Sequence, residues 1–443
     1  ALMETDAPIV NALWSNLTAK EDDQPLTVDD VVVRFSDGPG LLLGARGDVV
    51  VEHSLFEWND WTGIGGSWPA GLAEIEESDA TSDSKRSRGT TVHVSSRTCV
   101  FDHVTFSNNG AAQSLNAGGS FSPAPKVSNC LFSEQFALQD DGAFVEGGGS
   151  NSTIFVNNWG HSTGKSGLRW DGMYPTTVGG VMIGNVMWNT TGVTVKGDRH
   201  TVLNNTIFDG ADITPSKPYH DQPRYQDDSS LLDNVTIASI LIGAGTTSYN
   251  PKANQLTVVG NNVLDHVAIV GKECPHPPCK LPGKYDNNVI GSDTAFDIRQ
   301  ELRDPFHWDF RPCPKHTVAA HHAGAYSTWT ESDTHYDIPG RQRFGFASTP
   351  IPPCGSIGVK RDVELMFNPG RHTASHDVYF GSSSDQLALL AALTNSANIA
   401  KPSVLKSNTT YFWRVDAIEE GVNQASEGEI WSFSTGEEVS CPS

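Results

Sequence analysis

The chain has no long uncharged apolar run, no long Lys/Arg-rich run, and no helical spacing of apolar residues in its repeats. Without an apolar run of about eighteen residues, no helix is expected to span a membrane. Lys+Arg 30 stand against Asp+Glu 52, for a formal net charge of −22. Such a surface repels nucleic acid and other polyanions unless a local basic patch intervenes. Hydrophobic residues make up 37% of 443 residues, which is low for one large globular core. A narrow, elongated core tolerates that composition. The chain opens Ala1-Leu2-Met3-Glu4 with no basic or apolar leader, so it reads as a mature or fragmentary chain.

What is there is a degenerate repeat. It reads Val51-Glu52-His53-Ser54-Leu55-Phe56, Phe101-Asp102-His103-Val104-Thr105-Phe106 and Val127-Ser128-Asn129-Cys130-Leu131-Phe132. It returns as Ile183-Gly184-Asn185-Val186-Met187-Trp188, Val202-Leu203-Asn204-Asn205-Thr206-Ile207 and Leu232-Asp233-Asn234-Val235-Thr236-Ile237. Val259-Gly260-Asn261-Asn262-Val263-Leu264 and Tyr285-Asp286-Asn287-Asn288-Val289-Ile290 follow. Short β-like runs that recur mostly every twenty to thirty or so residues are the signature of a solenoid. The fold class predicted is all-β: a right-handed parallel β-helix followed by a small β-sandwich. Residues 1–30 are expected as a cap or lead-in, 31–300 as nine or ten coils, 301–345 as a capping segment, 346–437 as the sandwich and 438–443 as a tail. Ser67 to Thr91 and Thr214 to Ser229 are expected as protruding loops.

The second domain rests on Thr410-Tyr-Phe-Trp-Arg-Val-Asp-Ala417 and Ile430-Trp-Ser-Phe-Ser434. These strands resemble the late strands of fibronectin type III modules, which usually space, bind or pack. The coils at 183–207 and 232–290 resemble the right-handed parallel β-helices of the pectin-lyase-like type. That resemblance implies a fold shared by polysaccharide lyases, hydrolases and epimerases, and equally by adhesins, tailspikes and fibre proteins.

The seven cysteines and the Asn-x-Ser/Thr sequons favour an oxidising, extracellular setting. Cys274 and Cys279 are expected to close a small loop. Cys99 and Cys130, in neighbouring repeats, are a weaker pair because their columns differ. Cys313 and Cys354 are a further possible pair, and Cys441 is left as the free thiol. Sequons stand at Asn16, Asn151, Asn189, Asn204, Asn234 and Asn408. Asn204 and Asn234 occupy the repeat's own Asn position and are expected as inward structural residues; Asn16, Asn151 and Asn189 are the better glycan acceptors.

The strand after each repeat holds the candidate chemistry. Aligning Leu138-Gln-Asp-Asp-Gly, Leu168-Arg-Trp-Asp-Gly and Val193-Thr-Val-Lys-Gly stacks Asp141, Asp171 and Lys196 as a charged ladder. Gln139, Arg169 and Thr194 fall in the next column, with Asp140, Asp198, Arg199 and His200 nearby. Asp140, Asp141 and Asp171 would offer oxygen ligands to Ca²⁺, the one cofactor suggested. Eliminative cleavage of a uronate needs a cation, a base and an acid; Lys196 would be the base, with Arg169 and Asp171 beside it. Thr194-Val-Lys-Gly and the Asn-Asn-Thr that follows look similar to the lysine-bearing coil of the alginate-lyase branch. That branch's Leu-Arg-His-Gly motif is absent, and Asp212-Ile-Thr-Pro-Ser stands in its place. The alternative reading of the ladder is ordinary stabilisation by stacked opposite charges. His316, His321 and His322 match no standard metal spacing.

Two function classes stand. The first is a secreted, glycosylated structural or adhesive protein of the extracellular space or cell surface, built to associate with glycans or head-to-tail with copies of itself. The second is a polysaccharide lyase acting on a uronate-containing glycan.

Overall fold

The computed structural model describes residues 10–13, 25–36, 40–44, 47–59, 90–110, 113–117, 123–135, 143–147, 152–163, 166–170, 175–190, 192–208, 239–243, 252–270, 282–291, 297–394, 396–419, 421 and 425–441. The two expected protruding loops fall largely outside these residues. So do Cys274, Cys279, Asn16, Asn151, Asn234, Asp140, Asp141 and Asp171.

The chain divides into two compact units. The first, Ala1–Ala295 with Ala323–Ala325, is a parallel β-helix of three nine-stranded sheets. Each coil contributes one strand to sheet 1, one to sheet 2 and one to sheet 3, in that order. The first coil starts at Val10–Leu13, inside the stretch expected as a lead-in, and continues with Leu26–Asp29 and Val32–Arg34. The ninth ends at Val289–Ile290.

The repeat is the corner between sheets 2 and 3. In all nine coils one residue there has a left-handed backbone: Asp30, His53, His103, Asn129, Asn157, Gly184, Asn204, Asn261 and Asn287. Asn and Gly tolerate this region best, which is why the corner is written mostly in Asn. The next residue points inward. In the last five coils it is Asn158, Asn185, Asn205, Asn262 and Asn288, and these side chains form a continuous ladder. Each Nδ2 donates to the Oδ1 of the next Asn at 2.9 Å. The same Oδ1 atoms accept the backbone N–H of the preceding coil's Asn at 2.9–3.1 Å. Each Nδ2 also donates to a strand carbonyl, as Asn185 does to Phe155 at 3.2 Å. Buried amides satisfied this fully stabilise the corner and fix the coil register.

Apolar residues fill the centre. Phe56, Phe106 and Phe132 are successive partners on sheet 3, with ring centroids 5.4 and 5.0 Å apart. The next residue in that column is Gly160, because Phe144 of sheet 1 takes the space. A Cβ on Gly160 would lie 2.7 Å from Met187 Sδ and 3.0 Å from the Phe144 ring.

Cys99 and Cys130 are buried as separate thiols, not partners of one another. Cys99 lies on the sheet 2 strand Thr98–Asp102, whereas Cys130 occupies the inward corner position between sheets. Apolar burial pushes the Cys99 thiol up to about 12, and so it is unreactive.

The second unit is Phe296–His322 with Tyr326–Ser443. Two sheets enclose one core built on Trp413, Trp431, Val415, Phe367 and Phe433. The smaller sheet holds Ser348–Ile351, Leu365–Asn368 and Ile399–Ala400. The larger holds Ser356–Val359, Ile430–Thr435, Thr410–Glu419, Thr373–Gly381 and Ala388–Thr394, with Ala425–Ser426 beside Thr410–Glu419. The His- and Trp-rich segment groups with this unit, apart from residues 323–325. The fully buried Arg311 bonds Asp309 at 2.7 Å and Glu364 at 2.7 Å and lies over Trp329. Cys313 is bonded to Cys441, so neither is as the sequence suggested: Cys441 is not the free thiol, and Cys354 is free and exposed.

Candidate glycan-facing site

The register of sheet 1 differs from the alignment by repeats. Val145, not Leu138, is the partner of Leu168, so coil 5 enters sheet 1 seven residues later than expected. Asp140, Asp141 and Asp171 lie outside the described residues. Lys196 has Gly243 rather than Ala244 as its partner in the next coil.

The register assembles a different polar column. Asn116, Glu146, Arg169 and Thr194 are successive Cα partners across four coils. Their neighbours along each strand, Leu115, Val145, Leu168, Val193 and Val195, belong to the core. Strand alternation therefore turns the polar set to the outer face. Lys196 lies two residues beyond Thr194 on the strand Gly192–Lys196, and so on the same face. Glu146 accepts a hydrogen bond from Gln113. Ser166 and Thr194 share a hydroxyl hydrogen bond of 2.8 Å. Arg169, Thr194 and Lys196 are recessed, at 9%, 4% and 5% exposure.

The backbone that carries Lys196 is pinned from below. His200 Nε2–H donates to the Lys196 carbonyl at 2.9 Å, and its Nδ1 accepts the Gly180 N–H at 3.0 Å. Burial lowers the His200 imidazole to about 4, against opposing contributions from the Lys196 bond and the Asp198 charge. The ring is neutral, as this pair of bonds requires. Gly197 has φ +115°, and a Cβ there would stand 2.0 Å from the Thr177 carbonyl oxygen.

Of the sequence-derived candidates, Arg169 and Lys196 share the outer face, and Thr194 joins them. Glu146 and Asn116 were missed, because placing them depends on where coil 5 enters the sheet. The residues 136–142 before that strand contain Leu138-Gln-Asp-Asp-Gly, which mimics the true strand start.

Among the sequons in the described residues, Asn408 is exposed. Asn204 occupies the half-buried left-handed position, while its neighbour Asn205 is the inward residue. Asn189 is 3% exposed and its Nδ2 donates to Ser162 at 3.2 Å. That nitrogen is the glycan attachment atom, so a glycan there would displace this bond. Among the described residues no three metal-ligand side chains converge around His316, His321 and His322. No helix among the described residues is long and apolar enough to cross a membrane. Comparison with protein-family models finds no match, and comparison with curated proteins finds no relative.

Proposed function

We propose that this is an extracellular adhesive β-helix protein that holds an acidic glycan on the outer face of sheet 1. The observation that carries the reading is the in-register column Asn116, Glu146, Arg169 and Thr194 with Lys196 on the same face. A uronate carboxylate pairs with a guanidinium in a two-point contact. The hydroxyl and amide neighbours suit sugar hydroxyls. Coils stacked about 5 Å apart offer an extended binding line. The resemblance to pectin-lyase-like β-helices and to fibronectin type III modules supports the same setting, a glycan-facing solenoid with an accessory sandwich. The net charge of −22 then acts as a selectivity device: polyanions are repelled except where Arg169 and Lys196 lie.

A second reading is favoured by Arg169 and Lys196 sharing that face. In a uronate β-elimination the guanidinium neutralises the carboxylate and stabilises the enolate-like charge. Lys196 takes the C5 proton, and the C4–O bond breaks to leave a C4–C5 double bond. The test incubates the protein with uronate polymers and follows ultraviolet absorbance of the unsaturated product. Product formation that disappears in Lys196→Ala establishes the lyase. Binding without product leaves the adhesive reading, and neither binding nor product refutes both.

A further inference from the structure

A second cluster sits at the corner between sheets 2 and 3 in the first three coils. There the last residue of each sheet 2 strand is acidic, and Asp29, Glu52 and Asp102 are successive Cα partners. The left-handed residue that follows is His53 in the second coil and His103 in the third. The two imidazoles stack at 5.5 Å, 14° from parallel. His53 Nδ1 lies 3.0 Å from Asp29 Oδ1, and His103 Nδ1 lies 2.8 Å from Asp102 Oδ2. Burial alone would raise the Asp102 carboxyl, but hydrogen bonds from His103, Ser128 and Asn129 outweigh it and hold the group at about 2.

The corner itself does not require these residues. Asn129, Asn157, Asn204, Asn261 and Asn287 satisfy the same backbone conformation in other coils, where the preceding residue is acidic only at Asp286. Carboxylates stacked at successive coils repel one another, and a cation held between them relieves that repulsion. Asp29, Glu52 and His53 each offer a ligand atom, and these atoms lie within 4.8 Å of one another. All three side chains are exposed or half-buried, so an ion can reach them from solvent.

We infer that Asp29, Glu52 and His53 form a binding site for a divalent cation of the zinc class. One imidazole and two carboxylates form a donor set that zinc accepts at about 2.0–2.2 Å. Calcium prefers a shell of six to eight oxygens, so the imidazole selects against it. The ligating nitrogen of His53 loses its bond to Asp29 as both turn to the metal, and water completes the fourth position at the open corner. The site lies on a different corner from the sheet 1 face, and the inference does not depend on the glycan reading.

The experiment is a calorimetric titration of chelator-treated full chain with zinc chloride, repeated on His53→Asn and Glu52→Gln. Asparagine is what the corner carries in five other coils, so His53→Asn keeps the fold, as circular dichroism and the thermal midpoint verify. The expected result is a saturable site whose affinity falls at least about tenfold in both variants. Absence of saturable binding, or binding of unchanged affinity in both variants, overturns the inference.

Discussion

The imidazole of His200 lies on the indole of Trp170 with ring centroids 4.3 Å apart and planes 13° from parallel. The stack joins the coil carrying Arg169 to the coil carrying Lys196. Trp170 follows Arg169 directly, and His200 holds the Lys196 carbonyl. Trp170 is itself fixed, because its indole N–H donates to the Thr153 carbonyl at 2.9 Å. The two cations of the proposed glycan face are thus placed by one buried pair beneath them.

This pair makes stability depend on pH. Burial lowers His200 to about 4, His161 to about 3 and His376 to about 4. In the unfolded chain each titrates near about 6.5, so the unfolded state takes up protons first as pH falls. The stabilisation from the neutral rings is whole above about pH 6.5 and is lost progressively down to about pH 4 for His200 and His376 and about pH 3 for His161. The loss is about 1.4 kcal/mol per ring per pH unit across that window. Thermal melts across this range should show a falling midpoint, and His200→Gln should flatten the solenoid's share of the fall.

The asparagine ladder gives a second expectation. Replacing Asn185 with Ala removes donors and an acceptor from the middle of the stack and leaves Asn158 and the Asn205 carboxamide short of partners. The cost is about 1–3 kcal/mol for each group left unsatisfied. Denaturant titration followed by circular dichroism checks it. Loss comparable to a surface substitution would mean that the ladder is decorative.

Gly197→Ala should be among the more damaging single changes in the solenoid. The new methyl meets the Thr177 carbonyl oxygen at 2.0 Å, in a backbone conformation that L-residues rarely adopt. The chain must shift beside Lys196, so glycan affinity is expected to fall together with the melting temperature.

In the second unit, the Cys313–Cys441 bond spans a sequence separation of 128. Closing a loop of that length is worth up to about 5 kcal/mol through the unfolded state. Cys441→Ser should lower the transition of the sandwich unit in calorimetry, while Cys354→Ser should leave it in place.

The fold was legible because the corner residue repeats: a left-handed position followed by an inward amide writes Asn-Asn into coil after coil. The same reading missed the first coil, whose corner is Asp30-Val31 and carries no Asn. The site was legible only in part. Arg169, Thr194 and Lys196 follow strands entered without insertion, and their facing can be read by alternation. Glu146 depends on a register that the seven residues 136–142 displace, and sequence alone offers two equally apolar starts, Leu138 and Val145. The Cys313–Cys354 pairing failed for a related reason. Cys313 and Cys441 are brought together by packing within the second unit, which no local spacing records.

The most direct test of the glycan face is calorimetric titration of defined uronate oligosaccharides into the wild-type chain, Thr194→Ala, Arg169→Gln and Lys196→Gln. The account predicts saturable, salt-sensitive binding that weakens at least about tenfold in the Arg169 variant, the scale expected for a lost charge-assisted pair. Uncharged oligosaccharides should bind more weakly than uronates to the wild-type chain. Folded variants that bind as the wild type does, or a wild-type chain that binds no uronate, would contradict it.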